Sequence, residues 1–150
     1  MNKQALADEL NQLLATETRS LFRHLDEARP YLTPKTYRVW ATLQQMRHVS
    51  EEHADRITVL LDTLELPPRA ASFPTDVANY HFMSLPGLLP LLIHEKQSQI
   101  ESYERAIEHA AGEPRVTHAL ESLLADNRKQ LTLLESFQAA IGDTSVAGAR

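Results

Sequence analysis

The chain has no cysteine among its 150 residues. Neither a disulfide framework nor thiolate metal ligation is therefore available to it. Any metal would have to be held by His, Asp and Glu, a donor set suited to iron, manganese or zinc. Glycine is scarce, at four residues, and β-branched runs are short, which argues for helix over sheet. Basic charge is not in excess either, because 15 Lys and Arg stand against 20 Asp and Glu for a net charge of −5. Phosphate binding needs a concentrated basic face, and the bases here are scattered among acids, so nucleic acid is not an expected partner. No window approaches the roughly 20 apolar residues of a membrane helix. The first ten residues are amphipathic and charged, without the apolar centre of a signal peptide. The expectation is one cytoplasmic domain spanning 1–150, with no membrane contact.

What is present is helical periodicity. Leu6, Leu10, Leu13, Leu14, Leu21 and Leu25 recur at three- and four-residue spacing and predict a first helix over 3–29, stopped by Pro30. Thr33 followed by Pro34 is a cap and first-turn pair opening a second helix over 34–66. Its apolar line runs through Leu43, Met46, Ile57, Leu60, Leu61 and Leu64. Pro67 and Pro68 end it, and the stretch to Ser84 is long for a connection, which predicts a crossover between bundle ends. Ser84 caps a third helix over 85–111, in which Pro90 implies a late start or a kink. Gly112-Glu113-Pro114 separates it from a fourth helix over 115–141, which Gly142 ends, leaving a tail over 142–150. Two short connections around one long one predict an all-α, up-down-down-up four-helix bundle.

Each helix carries polar residues on its apolar stripe near mid-length. They are Glu17, Ser50 with His53, Lys96 with Gln99, and Asn127 with Gln130. Four independent burials of polar groups would each cost several kcal/mol, so convergence on one layer is the economical reading. Glu51 and Glu52 fall on other faces and are expected to be solvated. In that layer Lys96 would neutralise Glu17 across the bundle, with Ser50, His53, Asn127 and Gln130 completing a hydrogen-bonded set.

This order of helices, with its long second crossover, resembles the ferritin-like superfamily. The run Leu13-Leu-Ala-Thr-Glu-Thr-Arg-Ser-Leu21 around Glu17 is similar to that family's first helix, and His53-Ala-Asp-Arg-Ile57 to the histidine end of its second-helix Glu-x-x-His motif. The di-iron members of the family hold their ions with a Glu on the first and third helices and a Glu-x-x-His on the second and fourth. Carried onto this chain, those six positions are Glu17, Ser50, His53, Lys96, Asn127 and Gln130, of which two keep a ligand side chain. The resemblance thus implies a bundle of this class that has lost its complete di-iron centre and acts as an assembly or interaction module, expected to be a homo-oligomer. The alternative is an iron- or manganese-dependent oxidoreductase or iron-handling protein with an atypical site. That site would be Glu17, His53 and Glu95, if a one-residue bulge turned Glu95 inward. Glu101 is a weaker ligand candidate. His24 and His94 would require a site displaced along the axis, and the fourth helix offers only His118, near its start.

Overall fold

The computed structural model describes residues 2–19, 21–25, 32–68 and 84–148. Among them the chain forms four α-helices and no strand: α1 (Lys3–Arg19), α2 (Tyr37–Thr63), α3 (Leu85–His109) and α4 (Pro114–Gly148). A single 3-10 turn, Leu21–His24, follows α1. None of the helices is long and apolar enough to cross a membrane. The expected crossover packing of Tyr80, Phe82 and Met83 lies outside the described residues.

The first helix departs from expectation. Instead of running unbroken to residue 29, α1 stops at Arg19 and the chain tightens into the 3-10 turn. The leucine periodicity continues through the break, because Leu21 and Leu25 are buried on the same side. Periodicity therefore hides the interruption. Leu21 loses an intrahelical acceptor there, and its N–H donates instead to Glu95 of α3, at 2.8 and 3.1 Å.

The remaining boundaries shift for local reasons. Residues 34–36 form a turn, with Thr33 N–H donating to Thr36 Oγ1 at 2.7 Å, and α2 starts at Tyr37 rather than 34. Glu65 adopts a left-handed conformation with φ 58°, and Leu66 N–H bonds back to Leu61 C=O at 2.8 Å. That closure ends α2 at Thr63, before residue 66. Ser84 does cap α3, its Oγ accepting from Gly87 N–H at 3.2 Å. Pro90 neither delays nor divides that helix. The carbonyl it leaves unpaired belongs to Pro86, in the first turn. Gly112, with φ 97°, supplies the left-handed residue after α3. Gly142 does not end α4, which continues to Gly148, no proline following to stop it. Ser84→Ala removes a side-chain cap from the first turn of α3. It is expected to lower stability by about 1 kcal/mol in urea titration.

The apolar interior falls into two clusters. One gathers Leu6, Leu10 and Leu13 of α1 with Ile57 and Leu61 of α2, Tyr103 and Ala106 of α3, and Leu120 and Leu123 of α4. The other gathers Leu21 and Leu25 with Leu43 and Met46, Leu88 and Leu92, and Leu134 and Ile141. The beginnings of α1 and α4 thus meet the ends of α2 and α3. What lies between the two clusters is polar.

Candidate functional site

Glu17 follows Leu10 and Leu13 on the buried stripe of α1 and is completely shielded from solvent. Its carboxylate would be costly there without partners, and it has several. Ser50 Oγ donates to Oε2 at 2.5 Å, and Tyr103 Oη donates to Oε1 at 2.9 Å. His53 Nδ1 lies 3.4 Å from Oε1, in ion-pair range but outside hydrogen-bond geometry. Ser50 and His53 are three residues apart on α2, so both side chains face the same carboxylate. The other imidazole nitrogen, Nε2, lies 3.2 Å from Asp126 Oδ2 on α4. A buried histidine is thereby placed between an interior carboxylate and one that is 42% exposed.

Lys96 is the second centre. It projects from α3 with 2% exposure, and its ammonium donates to Gln99 Oε1 and Asn127 Oδ1, both at 2.8 Å. Two further contacts hold those amides: Gln99 Nε2 donates to Thr16 Oγ1 at 3.3 Å, and Asn127 Nδ2 to Leu123 C=O at 2.8 Å. The Phe22 ring lies 4.8 Å from the ammonium, close enough for a cation–π contribution. The hydrogen bonds of Lys96 thus go to neutral amides rather than to a carboxylate. Its attraction to Glu17 and Glu95 acts across the layer.

The titration properties follow from this arrangement. Burial drives Glu17 upward, but contact with His53, the charge of Lys96 and the Ser50 hydroxyl outweigh it and leave the carboxyl below its ordinary value. Burial lowers Lys96 to about 8, against the pull of Glu17 and Glu95. Glu95 is raised to about 7, chiefly by burial, although the Leu21 N–H and Lys96 both favour its charged form. The Tyr103 phenol is raised by burial and then by the adjacent Glu17. At neutral pH the interior therefore holds Glu17 as an anion and Lys96 as a cation.

Of the residues singled out from the sequence, Glu17, Ser50, His53, Lys96 and Asn127 are all buried in this layer. Gln130 is not a member. It is half-buried and lines a shallow groove between α2 and α4 with Met46, Val49 and Leu133. The Glu95 carboxylate is engaged by the Leu21 N–H at the break after α1. Glu101 and His94 are exposed. Thr16 and Asp126 join the layer without having been singled out. Thr16 adjoins Glu17 and Asp126 adjoins Asn127, so adjacency to a layer residue was their only signal. Among the described residues no three of His, Asp and Glu converge in a metal-binding group. A lysine ammonium stands where the resemblance would put a third-helix carboxylate, so the donor set does not fit a di-iron centre.

No protein-family model matches the chain, and no curated protein is similar to it in sequence.

Proposed function

We propose that the chain is a ferritin-like, up-down-down-up bundle in which a hydrogen-bonded charge layer stands in place of the family's metals, and that it acts as an assembly or interaction module. Lys96 carries the reading. Its buried ammonium and the anionic Glu17 supply opposite charges at mid-bundle, and four amide, hydroxyl and phenol side chains satisfy them. A cation covalently attached to α3 needs no loading and cannot be released, so the layer supports a structural role over a redox one. The meeting of the beginnings of α1 and α4 with the ends of α2 and α3 supports the proposed topology.

Metal analysis tests this directly. Protein purified from cells grown with added iron and manganese is expected to carry substoichiometric metal and to melt at the same temperature with or without chelator. Stoichiometric iron or manganese, lost in both Glu17→Ala and His53→Ala, would sink the proposal.

A further inference from the structure

α2 is electrically divided along its length. From Tyr37 to Ser50 its charged residues are Arg38 and Arg47, with no acid. From Glu51 to Thr63 the acids are Glu51, Glu52, Asp55 and Asp62, against Arg56 alone. The face opposite the core also carries two large apolar side chains, Tyr37 at 63% and Val59 at 62% exposure. They lie eleven residues to either side of His48, itself 67% exposed. Eleven residues is close to three helical turns, so Tyr37, His48 and Val59 form one outward stripe with its midpoint at the histidine.

We propose that this outer face of α2 is a self-association surface, on which a second copy of the chain lays the same helix antiparallel about a two-fold axis at His48. Such an isologous contact brings residue n opposite residue 96 − n. Tyr37 then meets Val59 of the other copy, and Val59 meets its Tyr37, so all four exposed apolar groups are covered. Arg38 arrives opposite Thr58, between Asp55 and Asp62, which lie about one turn to either side. The basic half of each helix thus lies on the acidic half of the other, whereas a parallel pairing would set like charges together. Ala41, small and exposed on the same stripe, lets the backbones approach. Tyr37 and Val59 are about 33 Å apart along the helix. One helix pair of that length belongs at the small end of specific interfaces, below roughly 1,200 Å² in total, so the dimer is expected to dissociate on dilution through the micromolar range.

The inference rests on the assembly reading above and specifies its partner and surface. Sedimentation velocity over a dilution series tests it, with all substitutions at exposed positions. Arg38→Glu is expected to weaken dimerisation about tenfold or more, equivalent to about 1.4 kcal/mol. The swapped variant Arg38→Glu/Asp55→Arg/Asp62→Arg is expected to restore it. Because the chain has no cysteine, His48→Cys provides a single thiol at the axis, expected to cross-link under mild oxidation while Gln12→Cys on α1 does not. A dimer that survives Arg38→Glu and fails to cross-link in His48→Cys overturns this surface and leaves the assembly reading standing. A monomer at every concentration overturns both.

Discussion

Lys96→Met is expected to destabilise the protein by about 3–5 kcal/mol, the range found when one member of a buried charge network is removed. Methionine matches the length of the lysine stem, so the change is chiefly electrostatic and leaves little cavity. It removes the donor shared by Gln99 and Asn127 and takes away the buried ammonium whose charge helps hold Glu17 below its ordinary value. Apolar burial of the methionine offsets part of the loss, but two unsatisfied amide oxygens and an uncompensated carboxylate outweigh that gain. Glu17→Gln in the same background should therefore recover about 1–3 kcal/mol, although Glu17→Gln alone is destabilising. Urea titrations of the wild type, both single variants and the double variant close this cycle. Additive losses, or a neutral Lys96→Met, would show that the ammonium and the carboxylate do not support each other.

The second large effect is a stability minimum between about pH 7 and 8, where many proteins are near their most stable. Glu95 has a folded value of about 7, above its ordinary 4.5. The native protein holds a proton through that interval which the unfolded chain has released, so stability falls as pH rises from 4.5 to 7. Lys96 has a folded value of about 8, below its ordinary 10.5. The unfolded chain there binds the extra proton, so stability rises as pH climbs from 8 to 10.5. Glu17 acts further out: its lowered value means that its contribution is lost only as pH falls below 4.5. Each flank should amount to about 1–3 kcal/mol. Thermal or urea unfolding across this range measures the profile. Glu95→Gln should remove the acid-side fall and Lys96→Met the alkaline-side rise. A profile with a single maximum at neutral pH, unchanged in both variants, would refute the assignment.

The helices were legible because leucine spacing is imposed by burial, and burial is shared along a whole element. The same rule exposed Glu17, Ser50, His53, Lys96 and Asn127, since a polar residue in phase with leucines has to face inward. The failures have local causes. Asn127 and Gln130 are three apart and look equivalent in sequence, but α4 turns Leu134 inward after Asn127, and the three-residue step falls on the flank. Asp126 lies at the edge of the buried face, where its carboxylate meets the His53 ring, a contact that periodicity does not encode. The end of α1 at Arg19 is the deepest failure. No proline or glycine marks it, and its compensation comes from Glu95, more than seventy positions away.

The separation of the apolar interior into two blocks by a charged layer also fixes the register of the helices. The block at the start of α3, taken alone, would tolerate that helix sliding along its neighbours by one turn, about 5.4 Å, because Leu85, Leu88, Leu89 and Leu92 put leucine in place of leucine. The layer forbids that slip: Lys96 would be carried away from Asn127 into an aliphatic block, and Tyr103 would leave Glu17. A single polar position specifies alignment in coiled coils in the same way. Here the constraint spans all four helices, since Glu17, Ser50, Lys96 and Asn127 come one from each.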